Sequence, residues 1–402
     1  MRKLLAVVCL LTVCSVVSLL LLLSPSNPLG QLLGTAMDKP AETLPTVQME
    51  SVPETTVPAT TEATIPETTE EVTEPETTIP ETTIPETTEA PTEPTPEVFT
   101  LTFVGDCTLG TAPKNFNYQQ GFIKTVGEDY RYNFANVINY FENDDFTMLN
   151  LEGVLADDGK AANKQHTFRG PTSYVNILTQ NSVEAVSLSN NHTRDFLEEG
   201  YLSTTTTLTN AGVPYVEQDK TLIVTTQRGL TIGIYAVNVD NLNEAEIVAA
   251  ISQLDANEEI DLVILSAHWG NENTFRPNAV QKTLGYAAID AGADIVYGTH
   301  THTLQPIEEY NGGIIYYSLG NFAFGGNNNP KDYNTVLVQQ EVIRDVDGTV
   351  SLGKLTTVPC SISSVTNLNN FQPTPYEEGT PAYEKAMSKL NGTYTGGSLP
   401  IG

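Results

Sequence analysis

Asp294–Thr303 reads DIVYGTHTHT. Three β-formers, Ile295-Val296-Tyr297, stop at Gly298, and two histidines follow one residue apart, His300 and His302. A short apolar run closed by a glycine predicts a buried strand that turns, and the side chains after the turn are of ligand type. Upstream, Pro277–Ala291 predicts a helix with proline at its start, where the missing N–H does no harm. Before that helix, Ile260–Ala267 (IDLVILSA) predicts another buried strand, ending in His268-Trp269-Gly270. The chain has five histidines, and His192, His268, His300 and His302 all lie at the ends of apolar runs.

The same texture runs outward to Val98. Phe99–Val104 predicts a strand ending in Gly105-Asp106. Phe146–Leu151 predicts a second, ending in Glu152-Gly153, and Val183–Leu188 a third, followed by Ser189-Asn190-Asn191-His192. Further strands are predicted at Val213–Val216, Leu222–Thr225 and Leu230–Val237. Helices are predicted around Phe134–Phe141 and over Pro171–Gln180, Leu197–Asn210 and Glu244–Leu254. Ile314–Leu319, Thr335–Ile343 and Thr349–Val358 alternate like an antiparallel meander. Strands alternating with helices predict one α/β domain over 98–372. The Pro-, Gly- and Tyr-rich tail, 373–402, is expected to lie on the surface or fray.

Before residue 98 the chain is different. Met1–Leu23 starts with Arg2-Lys3 and continues as an apolar run, nearer the roughly 20 residues that span a bilayer than the core of a cleaved signal. It predicts a signal anchor or transmembrane helix at 1–23, with its basic end in the cytoplasm and the rest of the chain outside. The segment 24–97 reads as a disordered Pro/Thr/Glu-rich stalk, with IPETT recurring at Ile65, Ile79 and Ile84. Proline favours extended backbone and the glutamates repel one another. The net charge is −30, and fifteen of the 49 acids precede residue 98. A surface this acidic argues against a nucleic-acid partner, which needs clustered Lys and Arg. Cys107 and Cys360 are the only pair outside the apolar run, and they read as two isolated thiols acting as small apolar residues.

Ligand sites in α/β sheets gather at the carboxyl ends of strands. Five endings present chemistry there: Asp106, Glu152, Asn191-His192, His268, and His300 with His302. Alone, each has an ordinary reading as a turn, a cap or core packing. Together, two carboxylates, an amide and imidazoles make an O/N donor set that suits Mn, Fe or Zn, as one ion or two, and is too nitrogen-rich for Ca or Mg alone. In a two-metal site Asp106 or Glu152 bridges. His192 is assigned as an acid facing the substrate, with Asp195, three residues on, holding its ring, and Asn191 as the neighbouring ligand. In the loop after the second strand, Arg169 presents a planar fork for a phosphate or carboxylate, with His166 beside it. Ser318 and Asn321 are placed to orient ligands.

Gly105-Asp106, Asn150-Leu151-Glu152, Asn190-Asn191-His192 with Asp195, His268-Trp269-Gly270 with Glu272, Gly298–His302, Gln305 and Tyr317–Phe322 resemble the ordered motifs of CapA-type capsule synthesis proteins. The resemblance covers about residues 98–360. It implies a metallophosphatase-like (calcineurin-like) β-sandwich flanked by helices, in four layers α-β-β-α, with a dinuclear site at one edge. It implies Asp106, Glu152, Asn191, His268, His300 and His302 as ligands of divalent metal ions, and His192 as the acid. It further implies a place in poly-γ-glutamate capsule synthesis at a Gram-positive-type cell surface, in the membrane through the N-terminal helix. The activity implied is a metal-dependent hydrolase or transferase acting on a phosphoester or an anionic polymer; the alternative is a non-catalytic polymer-binding or export component. Capsule-synthase membrane subunits are the implied partners. The sequence departs from the pattern at Thr108, where metallophosphatases usually have His, at Thr299, where members often have His, and at Glu152, where a phosphatase usually has Asp.

Overall fold

In the computed structural model of the chain, residues 95–399 are described. The anchor and the stalk up to residue 94 lie outside them. Among the described residues no helix is long and apolar enough to cross a membrane.

Two mixed sheets face each other. The first has the order β16-β15-β14-β1-β2-β5-β6: Thr374–Pro375, Val350–Ser361, Asn334–Arg344, Glu97–Thr108, Phe146–Leu151, Ala185–Ser187 and Tyr215–Val216. The short β13, Asn321–Phe324, pairs with the end of β1. The second has the order β11-β12-β10-β9-β8-β7: Ile307–Tyr310, Gly313–Tyr316, Ile295–Thr299, Leu262–His268, Thr231–Asn238 and Lys220–Thr225. A separate ribbon joins β3 (Val154–Leu155) to β4 (Arg169–Gly170). The inner strands β1-β2-β5-β6 and β8-β9-β10-β12 run parallel.

Alternation decides which face each strand buries. Phe99, Leu101 and Phe103 of β1 meet Ile234, Ile264 and Tyr297 between the sheets. The outer face of the first sheet is covered by α1 (Phe122–Val126), α2 (Ile138–Phe141), α3 (Val175–Thr179) and α4 (Leu197–Ala211). The outer face of the second is covered by α5 (Glu244–Asp255) and α6 (Ala279–Asp290), which bury Ile247, Ile251, Leu284 and Ala288. The result is the four-layer α-β-β-α sandwich expected of a metallophosphatase-like domain.

The parallel strands begin in a common way. Asp145, Glu184, Asp261 and Asp294 each precede a parallel strand and clip it to its neighbour. Asp294, for example, donates its N–H to Val263 O at 2.9 Å, while its carboxylate accepts from Val263 N at 2.8 Å.

Three expectations change. The last three predicted strands do not form one meander: β14 and β15 are an antiparallel pair in the first sheet, but β12 lies in the second, parallel to β10. Apolar alternation records which side of a strand is buried, and says nothing of which sheet receives it. The tail does not only lie on the surface. Its α7, Pro381–Leu390, puts Ala386 and Leu390 into the core between the sheets. And Gly298 is not where the chain turns. It lies inside β10, where a Cβ would stand 2.3 Å from Tyr317 O, so it is needed for close packing of two strands. The turn falls instead on His300 (φ 92°) and His302 (φ 55°). Cys107 and Cys360 are both free and buried.

Candidate metal centre

Asp106, Glu152 and His302 each offer a ligand atom, all within 4.8 Å of one another, and both carboxylates are fully buried. Three local devices put them there. The register of β1 against β2 shifts between Phe103 and Asp106, and such an irregularity re-aims the next side chain. Asn150, on β2, donates to Asp106 Oδ1 at 2.8 Å, and the backbone N–H of His300 donates to Asp106 Oδ2 at 3.2 Å. Positive φ at His300 and His302 turns the 299–303 loop back over the strand ends, and non-glycine residues in that region carry strain of the kind concentrated at functional sites.

Glu152 is the centre of the cluster. Its Oε1 has His268 Nε2 at 3.7 Å, His302 Nε2 at 3.8 Å and His192 Nε2 at 3.9 Å. None is a hydrogen bond, and neither Glu152 oxygen has a partner. A buried carboxylate without a hydrogen-bond partner carries its full desolvation cost. Asp106 Oδ2 stands 3.4 Å from His302 Nδ1, and Asp106 Oδ1 3.9 Å from His268 Nδ1. His268 Nε2 faces Asn191 Oδ1 at 2.9 Å and His300 Nδ1 at 3.0 Å. The six residues expected as ligands therefore meet at one place.

The ring nitrogens are held from behind. His302 Nδ1 pairs with Asn321 Oδ1 at 2.8 Å, which turns Nε2 toward Glu152. His268 Nδ1 pairs with Thr299 Oγ1 at 2.9 Å. Thr299, one of the positions where the sequence departs from the resembled pattern, thus holds the His268 ring from behind. Thr108, another departure, leaves its buried hydroxyl without a partner among the described residues. Ser318 touches no ligand; its hydroxyl accepts from Gly320 N at 3.3 Å and closes a turn.

Burial pushes the Glu152 carboxyl well above its usual range, His302 opposing and Asp106 adding to the shift. Burial also works against a charged His302, but Glu152 and Asp106 outweigh it and hold that ring up at about 10. The pair therefore retains a proton that a cation can replace. Burial, with the neighbouring imidazoles, lowers His268 well below its usual value and His300 to about 4, so both present neutral nitrogens. Neutral imidazole and buried carboxylate are the forms that ligate a divalent ion. The donor set fits one.

His192 and Asp195 pair as their spacing predicts, Nδ1 to Oδ2 at 2.7 Å. Asp195 does more than the sequence suggested. Its carboxylate also accepts from Phe168 N at 2.6 Å and Lys164 Nζ at 2.7 Å, and its carbonyl accepts from Ala162 N at 2.8 Å. It therefore fastens the 162–168 loop beside the site, and Phe168 lies 4.6 Å from the His192 ring. Lys164 also donates to Asn191 O at 2.7 Å. Nothing in the periodicity around Lys164 marks it. Asn190 was legible only as a motif residue. It donates to Asn150 Oδ1 and Leu151 O, both at 2.9 Å, and accepts from His192 N at 3.0 Å, which locks the loop carrying Asn191 and His192 onto β2.

A cavity of about 370 Å³ opens on His192 and His302 and is lined also by His166, Phe168, Glu272 and Phe324. His166 is exposed and stacks on Phe168 at 6.4 Å. Arg169 is not among the residues that line the cavity. Its guanidinium sits between the rings of Phe116 and Phe196, 5.0 Å from each, and its Nε is buried without a partner. The β3–β4 pairing fixes the Arg169 backbone opposite Val154, and the two aromatic faces hold its guanidinium.

The chain is similar to proteins already known. The capsule biosynthesis protein CapA of Bacillus anthracis is 30% identical over 260 residues, 57% of this chain and 60% of that protein. The PGA biosynthesis protein CapA of Bacillus subtilis is 28% identical over 250 residues, 57% of this chain and 64% of that protein. The chain thus spans about three-fifths of the length of the curated relatives it matches. Among solved structures, a hypothetical protein from Thermus thermophilus is similar at 15% identity with a TM-score of 0.38, covering 64% of this chain and 99% of that one. The NAD nucleotidase of Haemophilus influenzae is similar at 13% identity and a TM-score of 0.38, covering 74% and 63%. Residues 100–326 match the family described as bacterial capsule synthesis protein PGA_cap, and with more than half of its length matched the chain belongs to that family.

Proposed function

We propose that this chain is a cell-surface component of capsule or poly-γ-glutamate synthesis whose domain is a metal-dependent hydrolase or transferase acting on a phosphoester or an anionic polymer. The observation that carries the reading is Glu152: fully buried, both oxygens unpartnered, with three imidazole Nε2 atoms between 3.7 and 3.9 Å away. Asp106, Glu152, Asn191, His268, His300 and His302 would hold one or two ions of Mn, Fe or Zn type. Bound there, a divalent cation supplies Lewis-acid polarisation and lowers the pKa of water.

The chain's own residues do the rest. His192 gives its Nδ1 side to Asp195 and keeps Nε2 at the cavity, where a proton can be delivered to a leaving group. Burial lowers its pKa, against the Asp195 carboxylate, which supports the charged ring. Phe168 and Phe324 exclude water from one side of the cavity. The relatives named for CapA, and a probable polyglutamine synthesis accessory protein of Mycobacterium tuberculosis at 25% identity, support a place beside polymer-synthesis machinery, with membrane subunits of a synthase as partners. A signal anchor at 1–23, with the domain outside the cell, fits that setting.

The departure at Thr108 favours a second reading, a polymer-binding or export component without turnover, because a buried hydroxyl without a partner stands two residues after Asp106, where the resemblance leads one to expect His. Metal content by mass spectrometry, with turnover on phosphodiesters and on γ-glutamyl polymer, separates the two. Bound metal with turnover lost in His192→Ala supports the enzyme. A full-length chain without bound Mn, Fe or Zn after supplementation sinks it, and polymer binding that survives His192→Ala and His268→Ala without turnover establishes the binding component.

A further inference from the structure

The cavity beside the metal centre is not built by the family-matched residues alone. Six of its sixteen lining residues, Asn327, Asn329, Pro330, Lys331, Asp332 and Leu399, follow residue 326, where the match ends. Two loops carry the mouth, one through Glu272-Asn273 and the other over 326–332. The C-terminal segment reaches both. Lys389 of α7 is completely buried, and its ammonium donates to Asp332 Oδ1 at 2.8 Å, Asp332 Oδ2 at 2.7 Å and Asn334 Oδ1 at 2.7 Å. The same Nζ stands 4.7 Å from the Phe275 ring and 5.4 Å from the Tyr394 ring. Tyr394 packs edge-on against Phe275 at 4.9 Å, its carbonyl accepts from Arg276 at 3.4 Å, and Leu399 N donates to Asn273 O at 2.9 Å.

An ion pair this buried is a poor source of stability, because desolvation of two charges offsets most of their attraction. What it supplies is direction: three donors of one ammonium are aimed at Asp332, in the loop, and at Asn334, the first residue of β14, which that loop enters. Apolar packing would hold α7 as firmly and would leave that loop free to choose its place.

We propose that Lys389 is a positioning residue that latches the 326–334 wall of the cavity to α7 and, with Phe275 and Tyr394, the 271–276 wall, so that the C-terminal segment sets which ligands the cavity accepts. The wall it holds is amide-rich, through Asn273, Asn327 and Asn329, and it faces apolar surface from Phe168, Phe324 and Leu399. That combination suits a linear chain in which hydrogen-bonding amides alternate with short methylene segments. The choice of ligand class rests on the polymer reading above; the latch itself does not.

The test uses the full-length chain loaded with Mn²⁺, amide hydrogen exchange read by mass spectrometry, and titration with a γ-glutamyl hexamer. Lys389→Met should speed exchange in 271–276 and 326–334 by about tenfold, as local opening does, with β9 and β10 unchanged. Hexamer affinity should fall by about tenfold or more while Mn²⁺ affinity holds, the scale of losing a supporting contact. Unchanged exchange in both loops, or equal acceleration in β9 and β10, overturns the latch. Loosened loops with unchanged hexamer affinity overturn its role in selection. A wild-type chain that ignores the hexamer overturns the polymer reading alone, and the latch is then judged by exchange. If the Met variant does not fold, Tyr394→Ala should speed exchange in the same two loops by a smaller factor, and no change in them counts against the proposal.

Discussion

At the amino ends of the parallel strands, carboxylates are tied off; at the carboxyl ends, they are left bare. Asp145, Glu184, Asp261 and Asp294 accept from Thr100 N, Thr147 N, Thr231 N and Val263 N at 2.7–2.8 Å, and each returns its own N–H to the same neighbour. Among the described residues Glu152, just past the end of β2, has no hydrogen-bond partner on either oxygen, and Asp106 accepts from Asn150 and the His300 backbone with His302 Nδ1 3.4 Å from its Oδ2. The same chemical group therefore does two jobs. Where each carboxylate is matched to a backbone donor, it fixes strand register. Where it is buried and unmatched, it leaves acceptor atoms that a bound cation would satisfy.

The largest effect should come from the bare end. Glu152→Gln keeps the shape and removes the charge. Mn²⁺ affinity, by calorimetry, should fall by more than about 100-fold, since even supporting contacts are worth 10–100-fold. The metal-free variant should melt no lower than wild type, because a buried unpaired carboxylate is gone. A lower melting temperature without metal would mean Glu152 is structural and would erase the contrast. His268→Ala should also deplete bound metal, whereas His192→Ala should spare it, read by mass spectrometry; equal loss would merge the two roles.

The tied end should respond the other way. Asp294→Ala strips the acceptor from Val263 N and should cost about 1–3 kcal/mol in denaturant unfolding, the range for an orphaned buried donor, with Mn²⁺ affinity unchanged. Thr299→Val, which removes the hydroxyl behind His268 Nδ1, should weaken Mn²⁺ binding by about tenfold and leave stability within about 1 kcal/mol.

The smallest effect is a slope with pH. Burial pushes Asp144 from 3.8 and Glu184 from 4.5 up to about 7, and both contact Thr147 at the amino end of β2. Each folded-state pKa is raised, so the folded chain binds more protons between about 4 and 7. The stabilisation is full below the unfolded values and is lost as pH rises through 7. Unfolding free energy should therefore decline from pH 5 to 8, and Asp144→Asn with Glu184→Gln should flatten that decline. An unchanged slope in the double variant would show that these acids are already ionised at pH 5.

How legible each end was follows from what its residues need. Histidine is rare in this chain, and four of five stand after apolar runs, so the set His192, His268, His300 and His302 could be read as one site. The His192–Asp195 pair was legible because three residues is a local distance. The place of Arg169 was not, because it depends on Phe116 and Phe196, which are remote from each other in sequence. Lys164 and Lys389 were invisible for the same reason: each is an ordinary lysine until folding brings Asp195 or Asp332 to it.

The order of the strands along the chain, the α/β class and the set of candidate site residues were determined by the sequence itself, through local periodicity and the residue types that close each run. The central position of Glu152, the turn at His300 and His302 rather than Gly298, the separation of β12 from β14, and the entry of α7 into the core were decided by tertiary structure alone. Those depend on which faces meet and which acceptors remain unmatched, and a carboxylate is bare or satisfied only once every donor around it has been placed.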